Sequence, residues 1–227
     1  MRFELDHLFV ATPEPAAAER EMAAFGIGFT RRTVHAGQGT ANACASFEGT
    51  FLELLWAHDA TELQAPAVRP LGLDARIRWR ETGACPFGLA FRPEVPDSDA
   101  ASWPFPTWRY EAPYFPPGLA LPVVTPADRL DEPLVFIMRR PRPGAPGGLT
   151  AGGASPAHRG APRTVTRLAV QSPPAAKPTS PGLRWFTGQG LFALASGLSP
   201  LLEMDWDGAG AGQSHRFSEA APVLLRW

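Results

Sequence analysis

Residues 3–11 read FELDHLFVA and residues 51–57 read FLELLWA, and these two apolar runs decide the fold. Each run has the length and residue content of a β-strand. Each also carries an ionisable side chain in its middle, His7 in the first run and Glu53 in the second. A polar or charged group inside an apolar strand costs free energy unless something pairs with it. His7 and Glu53 are therefore the first candidates for a functional site.

The segment between these two runs predicts one helix and two further strands. Residues 14–25 place apolar side chains at helical spacing and are followed by Gly26, a typical helix stop. Residues 27–35 and 41–48 have strand-like content, and Gly49 marks a tight turn before the last strand. The first 57 residues therefore predict the order β-α-β-β-β. Strict alternation along the first strand places His7 on one face together with Phe3, Leu5 and Phe9.

The rest of the chain divides by composition. Residues 58–139 predict a mixed insertion with additional strands and an aromatic-rich cover over 103–115, which either covers the core or forms a lid over a pocket. Residues 140–163 are dominated by Pro, Gly, Ala and Ser and predict a flexible loop. Residues 164–227 predict a second β-α-β-β-β order, so that 1–57 and 164–227 would be paired modules.

Composition excludes several classes of function. The chain has 227 residues, a hydrophobic fraction of 44% and a net charge of −1, which predicts a globular protein without a field that favours nucleic acid. No apolar run approaches the ~20 residues that span a bilayer, and the start lacks a signal peptide's features. A cytoplasmic location is expected, and Cys44 and Cys85 are expected to be buried free thiols.

Three motifs together resemble a known family. They are LDHLFVA over residues 5–11, HAGQGTAN over 35–42 and LELL over 52–55. In order and spacing they are similar to the glyoxalase-like branch of the vicinal oxygen chelate superfamily. The resemblance implies an α+β fold of two βαβββ modules that form an open, cupped mixed sheet, here with a long insertion between the modules.

The resemblance also implies a metal site. His7 and Glu53 match the positions of the first-strand and fourth-strand ligands and would point into the cup. In the second module Arg167 matches the position of His7, but arginine stays protonated and cannot ligate a metal. Glu203 is a further candidate ligand, although it lies one strand too early. One divalent ion, which would be Zn, Mn, Fe, Ni or Mg, or no metal at all, is compatible with this donor set.

Several residues have more than one interpretation. His7 and Glu53 ligate a metal, pair with each other structurally, or act with Glu53 as general base. Arg167 binds an anionic group of the substrate or neutralises a carboxylate. His35 and Asn42 either hold the turn between two strands or contact substrate, and Trp56 is a further candidate for substrate contact.

The expected function is that of a glyoxalase-like enzyme. Its substrate would be a small molecule with vicinal oxygens or an enolisable carbonyl, and its chemistry would be of lyase, isomerase or dioxygenase type. The alternative is a non-catalytic module that binds or sequesters a small molecule without metal. The expected partners are a small-molecule substrate and at most a second copy of the chain, as a monomer or homodimer, and neither nucleic acid nor a membrane.

Overall fold

The computed structural model describes residues 1–95, 103–138, 164–173 and 177–227, so the predicted loop 140–163 lies outside the described residues. The strands are β1 Phe3–Ala11, β2 Arg31–His35, β3 Thr40–Ser46, β4 Phe51–Ala57, β5 Phe87–Pro93, β6 Trp108–Tyr110, β7 Leu121–Val123, β8 Leu134–Ile137, β9 Val165–Ser172, β10 Ala193–Ser196, β11 Leu201–Trp206, β12 Ser214–Arg216 and β13 Val223–Arg226. The helices are α1 Pro15–Phe25, α2 Ala60–Leu63, α3 Leu73–Ile77, α4 Trp79–Thr82 and α5 Pro181–Gly188. This mixture of strands and a few helices confirms the predicted α+β class, and both cysteines are buried and free, as expected.

The first sheet contains eight strands in the order β2-β3-β4-β1-β5-β8-β7-β6. β1 is parallel to β4, which is antiparallel to β3, and β5 is likewise parallel to β8, which is antiparallel to β7. The two halves therefore have the same pairing pattern and meet where β1 runs antiparallel to β5. The β-α-β-β-β order predicted for residues 1–57 is present, and α1 ends at Gly26 in the left-handed conformation.

The last strands of the chain form a separate five-stranded sheet in the order β10-β9-β11-β13-β12. Here β9 pairs in parallel with β10, the first strand after α5, whereas β1 pairs in parallel with β4, the third strand after α1. The half of the first sheet that lies beside β1–β4 is built by residues 87–137, which the sequence pattern assigned to an insertion. Strands β6 to β8 have only three or four residues each, too few for a clear alternating pattern. The domain boundaries drawn from the sequence stay a prediction.

The two faces of the first sheet differ in what covers them. The core face packs against the second sheet, in a cluster that joins Leu8 and Leu54 to Val170 of β9 and Leu225 of β13. We call the opposite side the cup face. One end of the cup face is covered by α2 and α3, whose apolar side chains pack on Phe9 and Leu55. No helix in the described ranges is long and apolar enough to cross a membrane.

Candidate functional site

A β-bulge at Asp6 decides which way His7 points. In the pairing of β1 with β5, Leu5 lies opposite Phe91 and His7 opposite Ala90, so Asp6 is the extra residue. Such a bulge shifts the alternation by one residue. Phe3 and Leu5 therefore pack in the core-face cluster, whereas Phe9 packs in the cluster on the cup face. The predicted common face of Phe3, Leu5, His7 and Phe9 is wrong in this respect, because simple alternation does not anticipate the bulge.

His7 is buried and held on three sides. Its Nδ1 lies 2.7 Å from Asp6 Oδ1, and its ring stacks on Phe51 at 4.5 Å and meets the edge of Phe136 at 5.5 Å. Asp6 in turn accepts a hydrogen bond of 3.0 Å from Arg92. Burial acts to raise the pKa of Asp6, but His7 and Arg92 outweigh it and hold that pKa below its ordinary value. An anionic Asp6 fixes the imidazole orientation and leaves Nε2 as the nitrogen available to a ligand.

Glu53 lies on the cup face of β4 with a thiol as its neighbour. It pairs across the sheet with Cys44, whose Sγ is 3.9 Å from Glu53 Oε1 and 3.5 Å from Arg31 Nη2. Burial, and to a lesser degree the charge of Glu53, raise the pKa of Cys44 to about 11, so the thiol stays protonated at neutral pH. Among the described residues no cation forms an ion pair with Glu53. The carboxylate is thus partly buried, and the Arg31 guanidinium reaches the same thiol without forming an ion pair with Glu53.

The loop that joins β2 to β3 is tied down by a carboxylate. Glu62 Oε2 accepts hydrogen bonds from the backbone N–H groups of Gly37 at 2.8 Å and Gly39 at 3.0 Å. A Cβ on Gly39 would meet Asp59 O at 2.4 Å, so the second glycine of the motif is required by close backbone approach. This loop brings His35 back over β3, opposite Thr40.

His35 and Asn42 lie on the cup face in adjacent positions. His35 Nδ1 is 2.8 Å from Thr40 Oγ1, and its ring stacks on Tyr114 at 5.0 Å. Burial lowers the pKa of His35; Arg31 and His7 add to this and Glu53 opposes it. Asn42 is only 2% exposed, and within the described part of the chain its Oδ1 has no hydrogen-bond partner. An unpaired buried acceptor is costly and marks a place where a ligand donor would be favourable.

The remaining candidates from the sequence lie elsewhere. Trp56 packs against the core-face cluster, on the side of the sheet away from His7 and Glu53. Arg167 is on β9 of the second sheet, where it lies 3.5 Å from Asp205 and 3.8 Å from Glu203. Glu203 is bound more closely by Arg226, at 2.7 Å. The structure therefore brings together His7, His35, Asn42 and Glu53 and separates them from Trp56, Arg167 and Glu203.

The donor set does not fit a metal site. The described residues contain no group of three or more His, Cys, Asp or Glu side chains that could hold an ion. The other half of the sheet explains why: β5 places Ala90 opposite His7 and Gly88 opposite Phe9, and β8 places Phe136 beside Ala90. None of these side chains can donate to a metal.

Several residues of the site were not identified from the sequence. Arg31 shares the face of His35 along β2, and Cys44 shares the face of Asn42 along β3. Simple alternation along each strand predicts both placements. Tyr110 and Tyr114 come from the aromatic-rich segment, of which Trp103 and Phe105 are buried in the core. Nothing local in the sequence shows that tyrosines about 70 residues further on return to the loop that joins β2 and β3.

Comparison with known proteins agrees with this architecture. Residues 5–148 match the family described as a glyoxalase-like domain. A hypothetical protein from Staphylococcus aureus has a similar fold, with a TM-score of 0.51 and 9% identity over 100% of this chain and 98% of its own. Methylmalonyl-CoA epimerases from Streptomyces coelicolor, in complex with 2-nitronate-propionyl-CoA, and from Mycobacterium tuberculosis align at 19% and 17% identity, with TM-scores of 0.36 and 0.34. They cover 59% of this chain and 94% and 85% of their own. No protein of curated function matches the chain by sequence.

The paired halves of the first sheet, with polar side chains on its cup face, define a vicinal-oxygen-chelate type of fold. The match covers more than half of the chain and includes that sheet except for the first two residues of β1. The chain belongs to the glyoxalase-like domain family of the vicinal oxygen chelate superfamily.

Proposed function

We propose that this protein is a glyoxalase-like enzyme that moves a proton at the carbon next to a carbonyl group of a small molecule. Glu53 is the general base of this reaction. The observation that carries the proposal is a partly buried carboxylate that has no cationic partner among the described residues and faces two histidines on the cup face. A carboxylate that is not engaged in an ion pair is free to accept a proton from a bound substrate.

The proposed step is an enolisation. Glu53 takes the proton from the carbon, the electron pair of that C–H bond forms a C=C bond, and the carbonyl π electrons move to oxygen. Where the carbon that loses the proton also carries a hydroxyl group, Glu53 returns the proton to the former carbonyl carbon, and the hydroxyl proton passes to the former carbonyl oxygen, which completes an isomerisation. Phe51 and Phe136 pack against His7 and Tyr114 packs against His35, so aromatic rings flank both histidines of the site.

Solvent exchange tests the proposal without knowledge of the product. The protein is incubated in D2O with thioesters, 2-oxo acids and hydroxyketones, and deuterium incorporation at carbon is followed by NMR. We expect exchange into one of these classes and a loss of about 100-fold or more in Glu53→Gln, because the amide is not basic. Glu81→Gln, at an exposed position of α4, is the matched control and should exchange at the wild-type rate. Equal rates in the two variants would contradict the role of Glu53.

A binding module without catalysis is the second candidate. The aromatic rings around His7 and His35 favour it, since they could hold a flat ligand with no chemistry at all. Binding of a hydroxyketone that is recovered without deuterium, with the same affinity in Glu53→Gln, would support this candidate. In either case we propose a small-molecule partner, a cytoplasmic location, and a monomer or homodimer.

A further inference from the structure

A chain of hydrogen bonds runs from the far half of the sheet to His35. The Tyr110 hydroxyl on β6 donates to Gln38 Oε1 at 2.8 Å, and Gln38 Nε2 donates to Thr40 Oγ1 at 2.7 Å. Thr40 Oγ1 then lies 2.8 Å from His35 Nδ1. Tyr110, Gln38 and Thr40 are all buried. The proposed base, Glu53, takes no part in this chain.

The direction of the protons along this chain can be deduced. Burial raises the pKa of Tyr110, so its hydroxyl keeps its single proton, and among the described residues the acceptor for that proton is Gln38 Oε1. The opposite orientation of the Gln38 amide would leave the buried hydroxyl without an acceptor. The amide N–H of Gln38 therefore faces Thr40, whose hydroxyl accepts it and has one proton left to donate. Among the described residues, His35 Nδ1 is the acceptor that lies within hydrogen-bond distance of that hydroxyl.

An imidazole that accepts at Nδ1 carries its own proton on Nε2. We propose that His35 is a neutral hydrogen-bond donor that presents Nε2–H to the carbonyl oxygen of the substrate, and that Thr40, Gln38 and Tyr110 are positioning residues that fix this tautomer. The inference rests on the proposed function. As Glu53 removes the proton from carbon, charge develops on the carbonyl oxygen, and Nε2–H stabilises it without transferring its proton.

Asn42 identifies a feature of the substrate. Asn42 pairs across the sheet with Thr33 on one side and with Leu55 on the other. The next pair on one side of this row is His35 with Thr40, and the next pair on the other side is Cys44 with Glu53. The Asn42 row thus lies between the row of His35 and the row of Glu53. A substrate that spans His35 and Glu53 passes over Asn42, whose Oδ1 lacks a donor within the described part of the chain. The substrate class is therefore a carbonyl compound with a neighbouring hydroxyl or N–H group.

The tautomer is directly measurable by long-range proton–nitrogen NMR on labelled protein. In the wild type we expect the proton of His35 on Nε2. Thr40→Val removes the donor to Nδ1 and should yield a mixture of tautomers, whereas Thr33→Val, at an exposed position of β2, should leave the spectrum of His35 unchanged. A wild-type protein with the proton on Nδ1 overturns the proposal, whatever the protein's activity.

Deuterium exchange separates the donor role from the proposed function. The probes are hydroxyacetone and 2-butanone, which differ in a hydroxyl group replaced by a methyl group. We expect His35→Leu to lower the exchange rate of hydroxyacetone by about 100-fold, the effect of losing one oxyanion donor, and His35→Gln, which keeps an N–H, to lower it less. Exchange lost in Glu53→Gln but retained in His35→Leu would overturn the role of His35 while the proposed function survives. Exchange that is absent in the wild type for both probes and the whole panel would contradict the proposed function.

The role of Asn42 has its own comparison. The wild type should prefer hydroxyacetone to 2-butanone, and Asn42→Leu should remove most of that preference. An unchanged preference in Asn42→Leu would overturn the assignment of a donor-bearing substrate. Circular dichroism of each variant checks that the sheet is intact, and a variant that fails this check is replaced by Asn42→Asp, whose carboxylate should keep the preference for a hydroxyl donor.

Discussion

Asp6 links the fold to the site at the scale of single residues. As the bulge residue of β1, it turns His7 onto the cup face, and its carboxylate bridges His7 at 2.7 Å and Arg92 at 3.0 Å. A bulge leaves its extra residue outside the ladder, and here that residue has a polar partner on each side. The local irregularity thereby orients the first functional side chain of the chain.

Replacing Asp6 by Asn should destabilise the protein by about 1–3 kcal/mol, the usual effect of losing hydrogen bonds to a charged group. Because His7 and Arg92 hold the pKa of Asp6 below its ordinary 3.8, the stability it contributes is present above that pH and is lost as pH falls through the lowered pKa. Urea unfolding at pH 7 and pH 3 measures the difference. Glu4 contacts the same Arg92 from a more exposed position, so Glu4→Gln is the control. It should lower the free energy of unfolding by less than Asp6→Asn does. Equal losses would show that the bridge to His7 contributes nothing.

His35 should make the protein sensitive to mild acid. Its pKa is lowered by burial and, to a smaller extent, by Arg31 and His7, while Glu53 opposes the shift. A histidine whose pKa falls on folding contributes stability above its unfolded value of 6.5, which is lost as pH drops through the lowered pKa. We expect the wild type to lose more stability between pH 7.5 and pH 5 than His35→Gln does, as measured by urea unfolding. A His58→Gln control, exposed after β4, should keep the wild-type dependence.

At the scale of elements, the sequence predicts what is local and misses what depends on pairing. The lengths of β1 and β4, the helix before Gly26 and the turn at Gly49 follow from residue type and spacing. The face of His7 depends on a bulge against β5, some 80 residues away, which alternation along β1 alone cannot show. Of the candidate site residues, His7, His35, Asn42 and Glu53 lie on one face of the first sheet. Arg167, which the sequence pattern aligned with His7, lies on the other sheet.

The two glycine turns of the first half offer a matched test of the loop that carries His35. Gly39 and Gly49 have φ values of +79° and +74°, so an alanine at either position bears the cost of the left-handed region, about 1 kcal/mol. Only at Gly39 would the new Cβ also collide with backbone, at Asp59 O and Leu63 N, whereas the space around Gly49 is open. Gly39→Ala should therefore lower the free energy of unfolding, measured in urea, by about 1–3 kcal/mol more than Gly49→Ala does. Similar losses would mean that the contact with α2 is easily displaced.

At the scale of the whole molecule, the second sheet completes the hydrophobic core of the first. Phe186 of α5 lies 4.9 Å from Phe91 of β5, and Trp206 of β11 lies 5.3 Å from Phe47, ring centre to ring centre. These aromatic contacts join residues 164–227 to the core face behind the site. The first sheet thus carries its candidate site residues on one face. Its other face is buried by residues 164–227, which lie beyond the family match.

A shared core predicts that both sheets unfold together. Leu54→Ala in the first sheet should cost about 2–5 kcal/mol and Phe186→Ala about 3–5 kcal/mol, because each removes a fully buried side chain from the same cluster. Tryptophan fluorescence and far-ultraviolet circular dichroism should report one coincident transition in the wild type and in both variants, with the midpoint lowered in each. Leu198→Ala, whose side chain is fully exposed, should leave the midpoint unchanged. A first transition moved by Phe186→Ala but not by Leu54→Ala would instead mean that the second sheet unfolds independently, and that the site face does not depend on it.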